Sequence, residues 1–153
     1  MPGTRPGMTE RVAIQSAYGL PMTFAPLLNA SPVIQVHAFT AMAAFGLGLV
    51  QLAAPKGTLP HRTIGWLWVV LLAVIAISSF WINELRVIGP FSPIHLLSIF
   101  TLVMLPRAVM HARHHRVPQH RHAMISIFLG ALVVAGLFTL LPGRIMHAVV
   151  FGN

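Results

Sequence analysis

The apolar residues of this chain are gathered into four long blocks, which limit the fold more than any other feature. The blocks cover roughly residues 33–54, 64–82, 94–110 and 122–141. A helix needs about 20 mostly apolar residues to cross a bilayer, and the first, second and fourth blocks meet this length. The third block is less uniform, because it contains the polar His95 and reaches Pro106. A helix from Phe91 to Met110 would still be about 30 Å long. We therefore predict four membrane spans.

The composition leaves no room for a soluble domain beside these blocks. The 153 residues are 56% hydrophobic and only 8% charged, whereas soluble domains are about 25% charged. We predict an all-α membrane protein in which residues 31–153 form a single four-transmembrane-helix domain. Residues 1–30 are predicted to be flexible or interfacial, because Pro21 and Pro26 interrupt the apolar core that a signal peptide needs. After the fourth span, residues 144–151 are predicted to form a short C-terminal interfacial helix.

A repeated pattern of proline and histidine divides the predicted bundle into two sequential helical hairpins. Ser31–Pro32 and Ser92–Pro93 each place a serine before a proline, which is typical of a helix start. Each hairpin then carries a histidine just inside its first helix and a His–Arg pair just before its second helix. These histidines are His37 and His61 in the first hairpin, 24 positions apart, and His95 and His120 in the second, 25 positions apart.

The two hairpins together predict two histidine pairs, one toward each membrane face. Polar groups are costly inside a membrane, so a histidine there marks a candidate functional site. Facing imidazoles in a helical bundle are suitable axial ligands for haem iron. We therefore predict that His37 and His95, the deeper pair, bind haem b. His61 and His120 are the second predicted pair, because they lie at loop ends, where solvated residues belong. The alternative is that all four are capping or interfacial residues.

A stripe of small and polar side chains on the first span bears on the same question. At helical spacing the stripe reads His37, Ala41, Ala44, Gly48 and Gln51. Small residues allow a flat group or another backbone to approach a helix closely. The stripe is therefore predicted to face the bundle interior, where it would provide either a slot for haem or ordinary helix packing.

Tryptophans and cationic residues indicate how the bundle is placed in the membrane. Trp66, Trp68 and Trp81 lie near the two ends of the second span, as an interfacial aromatic belt requires. The hairpin tips 55–62 and 107–121 carry six cations: Lys56, Arg62, Arg107, Arg113, Arg116 and Arg121. The other side carries four: Arg5, Arg11, Arg86 and Arg144. Because basic connections favour the cytoplasm, we predict a multi-pass protein of the bacterial plasma (inner) membrane, with cytoplasmic tips and both termini outside.

Charge and cysteine content exclude several other classes of function. The net charge of +8 arises because only Glu10 and Glu84 are acidic, and most arginines lie between spans, so we predict no nucleic-acid partner. The chain has no cysteine. Disulfides, thiol catalysis, iron–sulfur clusters and cysteine-based zinc sites are therefore excluded.

The second hairpin tip is rich in histidine, which is one pattern of a metal site. His111, His114 and His115 lie close together, with His120 and His122 further on. Such tracts bind zinc, copper or nickel. Yet no carboxylate or thiolate is nearby, and the arginines of the loop repel a cation. We therefore predict no metal other than haem iron, and expect the loop to be attracted to anionic lipid by about 1 kcal/mol per cationic residue.

Three further residues are predicted to support the bundle or the histidine site. Glu84 follows the second span and is expected to form an ion pair with Arg86 or Arg144. It could instead transfer protons or orient His95. Arg144 and His147, after the fourth span, are available to lipid headgroups or to the bundle.

Several segments carry a resemblance to a known family. They are His61-Arg62-Thr63-Ile64-Gly65-Trp66, Ser78-Ser79-Phe80-Trp81-Ile82, Gly89-Pro90-Phe91-Ser92-Pro93-Ile94-His95 and Gly136-Leu137-Phe138-Thr139-Leu140-Leu141-Pro142-Gly143-Arg144. Over about residues 33–151 the chain resembles the bacterial membrane proteins grouped as DUF2306, which implies a polytopic membrane protein of unknown function. The four-helix plan with several histidines is also similar in outline to two-haem cytochromes of the b561 type, a likeness of architecture alone.

These observations favour a small, haem-binding, cytochrome-like electron-transfer protein with bis-histidine ligation. Its predicted partners are the lipid bilayer and either a quinone or a redox protein, and the sequence leaves assembly into an oligomer open. One alternative is a non-enzymatic membrane subunit in which the histidines and arginines set packing and partner contacts. Another is a small proton-coupled transporter.

Overall fold

Helices make up nearly all of the described chain. The computed structural model describes residue 7, residues 22–82 and residues 93–152. In chain order the helices are Ala25–Leu28, Pro32–Ala53, Leu59–Ser78 with a 3₁₀ turn Ser79–Trp81, Pro93–Arg113, Val117–Ile127 continued by a π-helical stretch Phe128–Val134 and by Ala135–Thr139, and Ile145–Phe151. Within these described ranges no strand occurs, so the predicted all-α class is confirmed.

Four of these stretches are long and apolar enough to cross a membrane. They are Pro32–Ala53, Leu59–Trp81, Ile94–Arg113 and Val117–Thr139, called spans 1 to 4 below. The predicted third span is confirmed together with the other three. Its helix continues through Pro106, even though proline removes one backbone hydrogen bond. Each span packs on the next, and span 4 packs back on span 1, so the four close into a ring.

The connections define two ends of the ring. Residues 54–58 join spans 1 and 2, and residues 114–116 join spans 3 and 4. Both connections lie at one end, called the tip end, and the opposite end is called the terminal end. This arrangement is that of two sequential hairpins, as predicted. Which end faces the cytoplasm stays a prediction from the charge count.

The interior core is built from residues of all four spans. Its buried members are Ala44, Trp68, Leu72, Ile75, Leu105, Ala108, Ala123, Ile127, Phe128 and Leu132. Large apolar side chains such as Val70, Leu96 and Leu137 point away from this core and are exposed on the outside. A lipid tail is as apolar as leucine, so such a surface is what a membrane bundle presents to its surroundings.

Trp68 corrects the predicted aromatic belt. Trp66 and Trp81 are more than half exposed, at 52% and 67%, as belt residues would be. Trp68 is instead buried, with 5% exposure, and its indole Nε1 donates a 2.8 Å hydrogen bond to the Ala44 carbonyl on span 1. The hydrogen bond satisfies the indole N–H inside the apolar core, which is why a tryptophan can be buried there.

The helix starts follow the predicted boundaries but not always the predicted caps. Pro32 occupies the first turn of span 1, yet the Ser31 hydroxyl accepts no capping hydrogen bond. At span 2 the cap is Thr58, whose hydroxyl accepts from the His61 N–H at 3.4 Å. Ser92 lies outside the described residues.

The connection between spans 3 and 4 is a compact turn. The His115 N–H donates to the Ala112 carbonyl at 3.2 Å, and the Arg116 N–H donates to the His111 carbonyl at 2.9 Å. This pair of bonds is the Schellman pattern that ends many helices. Its left-handed position, usually glycine, is held here by His115 with φ of 57°. The turn therefore folds Arg116 back toward the end of span 3.

The predicted short C-terminal helix is confirmed as Ile145–Phe151. It packs on the short helix Ala25–Leu28, and the Thr23 N–H donates to the Val149 carbonyl at 3.0 Å. Leu27 is fully buried there. Most of residues 1–30 lie outside the described ranges, so the prediction of a flexible or interfacial lead-in stays a prediction.

Candidate functional site

His37 is held by the far end of span 2. Its Nδ1 lies 2.9 Å from the Ser78 hydroxyl oxygen, and that hydroxyl lies 3.0 Å from the Ile75 carbonyl, to which it donates. A hydroxyl has one proton, so Ser78 accepts from the Nδ1–H of His37. This tautomer leaves the lone pair on Nε2. A hydrogen bond to the other ring nitrogen is how proteins fix the orientation of a metal-binding histidine.

His95 is buried between spans 2 and 3, with 5% exposure. Its ring packs against the Phe80 ring at a centroid distance of 5.6 Å and a tilt of 42°. Near it the two spans are joined by a 2.6 Å hydrogen bond between the Ser79 and Ser98 hydroxyls. The aromatic contact and this polar bridge fix the approach of span 3 to span 2 at the level of His95.

Three consecutive residues of span 2 therefore bring the terminal-end histidines to one level. Ser78 contacts His37 of span 1, Ser79 contacts span 3, and Phe80 contacts His95 of span 3. Serine hydroxyls in membrane helices commonly hydrogen-bond across to a neighbouring helix. From the sequence, Ser78 and Ser79 were named only as part of a segment that carries the family resemblance. The pair of hydroxyls in an apolar block, facing Ser98 in the next one, was the signal that could have found this bridge.

His120, at the tip end, corrects the expectation of a solvated residue before the helix. It lies within the first turn of span 4, which begins at Val117. It is partly buried, and its Nδ1–H donates to the Ala108 carbonyl of span 3 at 2.9 Å. A carbonyl only accepts, so Nε2 again carries the lone pair.

His61 also lies inside its helix rather than before it, since span 2 begins at Leu59. Its carbonyl accepts from Gln51 Nε2 at 2.8 Å, and Gly65 leaves room for that amide, because an added Cβ would lie 3.1 Å from it. Two buried polar atoms here, His61 Nδ1 and Gln51 Oε1, have no hydrogen-bond partner among the described residues. His61 and His120 lie in the first turns of spans 2 and 4, and both spans begin at the tip end. The structure thus brings the second predicted pair to one end of the ring.

The small-residue stripe of span 1 faces the interior, as predicted. Ala44 and Gly48 are buried. The space at Gly48 is filled by protein side chains, since an added Cβ would lie 2.6 Å from the Phe128 ring and 3.0 Å from Trp68 Nε1. Of the two predicted uses of the stripe, a slot for haem or ordinary helix packing, the stripe at Gly48 shows helix packing. Gly48 lies 11 residues, about 16 Å of helix, from His37, so this packing does not occupy the level of the terminal-end histidines.

Replacing Gly48 with leucine should destabilise the bundle by about 1–3 kcal/mol, the usual cost of overpacking a filled interior. The Phe128 ring and the Trp68 indole would both have to move. Gly46→Leu is the matched control, because Gly46 has open space around its Cβ position. Thermal unfolding in detergent measures both variants. Equal unfolding temperatures for Gly48→Leu and the unmodified chain would contradict the close contact.

The remaining predicted residues fall into three cases. His147 donates its Nδ1–H to the Leu140 carbonyl at 2.8 Å and packs on the Phe151 ring at 4.9 Å, so it ties the C-terminal helix to the end of span 4. Arg144 precedes that helix as its N-cap residue and is partly buried. Glu84 and its predicted ion pair lie outside the described residues.

The histidine-rich tip does not gather its imidazoles on one point. Over residues 22–82 and 93–152, no group of three or more metal-binding side chains is arranged to hold an ion. His114 and His115 are exposed. What the tip does form is a cationic surface, with the Arg113 guanidinium 5.8 Å from the centre of the Trp66 ring.

Comparison with known proteins gives one finding. The family profile described as "Predicted membrane protein (DUF2306)" matches residues 34–151, a stretch that contains spans 2 to 4 and all but the first two residues of span 1. No curated protein and no solved structure matches the chain significantly.

Proposed function

Since the chain belongs to the DUF2306 family of membrane proteins, whose function is unknown, we propose that it is a small cytochrome-like electron-transfer protein that binds haem b through His37 and His95. The observation that carries the proposal is the hydrogen bond from His37 Nδ1 to Ser78, next to the residues that contact His95. This bond fixes the ring of one imidazole, whose Nε2 would then be available to hold haem at the level of the other.

The position of the two histidines supports the proposal. They lie on spans 1 and 3, which the ring separates by span 2, and both contact the same short stretch of that span. Two helices of one bundle would each supply one imidazole to a haem held between them. His95 is buried and His37 half-buried, which suits a cofactor that is largely apolar.

Bound haem would supply one-electron chemistry, and the chain would bind and orient it. The Ser78 hydroxyl fixes the ring of His37, and Phe80 limits the rotation of His95. A quinone in the bilayer or a redox protein is the proposed electron partner, as is usual for a membrane carrier of single electrons. An oligomer remains compatible with the exposed apolar faces of the spans.

The tip-end pair is proposed as a second ligand pair. His120 is oriented by the Ala108 carbonyl as His37 is by Ser78. His61 offers a buried Nδ1 that has no hydrogen-bond partner in the described part of the chain. An orphaned buried nitrogen in a native structure calls for an explanation, and ligation is one.

Two other functions each have one observation in their favour. The filled contact of Gly48 with Phe128 and Trp68 suits a non-enzymatic subunit whose interior is only packing. The buried hydroxyls of Ser79, Ser98 and Thr101, which lie on spans 2 and 3, suit a proton-coupled transporter. We place haem before both because His37, with its ring fixed by Ser78, lies at the level of the buried His95.

A visible absorption spectrum of the purified full chain tests the proposal. The protein would be produced in cells supplied with a haem precursor and compared before and after reduction with dithionite. We expect the reduced bands of six-coordinate haem b. A colourless protein with full helical content, both as purified and after incubation with haemin, would support the packing subunit instead.

A further inference from the structure

An open groove at the tip end is lined almost entirely by basic side chains. Its lining residues are Arg107, Met110, His111, His114 and Arg116. The two arginines stay charged at any physiological pH, and the lining contains no carboxylate. Arg107 and Arg116 are exposed, so their guanidinium groups are accessible.

The described chain offers no acidic partner for this charge. The whole protein has only two acidic residues, Glu10 and Glu84, and neither lies among the described residues. Anionic groups for the groove's guanidiniums would therefore have to come from outside the described chain. Arginine recognises phosphate better than other cations do, because its planar fork can donate two parallel hydrogen bonds to two phosphate oxygens.

The groove is shaped by the Schellman turn between spans 3 and 4. The bond from the Arg116 N–H to the His111 carbonyl folds the loop back over the end of span 3. This requires His115 to adopt a positive φ, a conformation that is uncommon for residues other than glycine. The turn thereby brings Arg116 into the same groove lining as Arg107 of span 3.

The groove also lies where headgroups would be. Arg107 is six residues, about 9 Å of helix, before the end of span 3 at Arg113. The Arg113 guanidinium lies over the Trp66 ring, and tryptophan favours the headgroup level of a bilayer. Met110, which is 56% exposed, adds an apolar contact that a glycerol or acyl segment could use and that inorganic phosphate could not.

We propose that this groove binds the phosphate headgroup of an anionic phospholipid in the leaflet that the tip end faces. The sequence predicts only a diffuse attraction of the basic loop to lipid. The structure assigns a defined site, with Arg107 and Arg116 as the phosphate-binding pair and Met110 beside the lipid's apolar part. The site is independent of the proposed haem.

The experiment compares the unfolding temperature of the full chain in detergent micelles titrated with phosphatidylglycerol, phosphatidylcholine or inorganic phosphate. We expect phosphatidylglycerol alone to raise the temperature, with saturation. The double variant Arg107→Gln/Arg116→Gln should lose most of that shift. The control Arg62→Gln/Arg121→Gln removes the same charge at the same end, outside the groove, and should keep it.

Three results would overturn the proposal. An equal loss in the control variant would show diffuse charge rather than a site. An equal shift with inorganic phosphate would show an anion site without lipid. No shift with phosphatidylglycerol would exclude binding. Arg107→Lys/Arg116→Lys keeps the charge without the planar fork, so it should lose part of the shift, and it provides a readout even if the glutamine variant folds poorly.

Discussion

Replacing His37 with alanine is expected to remove the reduced haem b spectrum that we propose His37 and His95 support together, and replacing His95 is expected to remove the same signal. The two imidazoles are proposed to ligate one iron, and a six-coordinate centre is lost when either ligand is lost. The double variant should therefore lose no more than either single variant. Difference spectra of the purified variants, normalised to protein, measure the effect.

Two further variants separate ligation from general damage. His114→Ala removes an exposed imidazole of the tip and should leave the spectrum intact. Ser78→Ala removes only the hydroxyl that orients His37, so it should keep haem but shift its reduction potential or weaken its retention. If the His37 and His95 variants lose signal independently and additively, the two histidines serve separate sites and the shared site is wrong.

Replacing Trp68 with alanine should destabilise the fold by about 3 kcal/mol, near the lower end of the range for tryptophan-to-alanine changes in a core. The lower end applies because lipid is as apolar as the interior, so less transfer free energy is lost than in water. The cavity and the loss of the hydrogen bond to the Ala44 carbonyl remain. Far-UV circular dichroism during chemical unfolding in mixed micelles gives the value.

The matched control is Trp66→Ala on the same helix. Trp66 is exposed, and a substitution outside the core usually changes stability by less than about 0.5 kcal/mol. Trp68→Phe keeps a ring but lacks the N–H donor, so its smaller loss would isolate the contribution of the hydrogen bond. Equal losses for Trp66→Ala and Trp68→Ala would show that Trp68 does not occupy the interior.

The four spans could be predicted because their signal is strong and local. Each apolar block is bounded by proline, glycine or cations, and a bilayer leaves an apolar segment of that length few alternatives to a helix. It was harder to predict which individual side chains point into the bundle and which point outward. Trp66 and Trp68 lie in a block that is apolar all round, so no periodicity tells which of them points inward.

The repeat predicts at which end of its span each histidine lies, but it does not predict the groups to which the histidines hydrogen-bond. The hydrogen bond from His120 goes to the Ala108 backbone carbonyl, which every residue type offers and no motif marks. The His37 contact depends on where span 2 ends relative to span 1, which the sequence constrains only within a turn or so. The π-helical stretch Phe128–Val134, whose first residue packs against Gly48, likewise has no recognisable sequence signal.

The contact between Phe128 and Gly48 has a consequence for the order in which the protein assembles. Phe128 belongs to span 4, which leaves the ribosome after the first hairpin, and it stacks on Phe45 at 5.6 Å while covering Gly48. Until span 4 enters the bilayer, the first hairpin therefore carries an uncovered notch on its surface. The notch is covered when span 4 packs against span 1 and the four spans close into a ring. Chains that stop before span 4 would present that notch to lipid or to other helices.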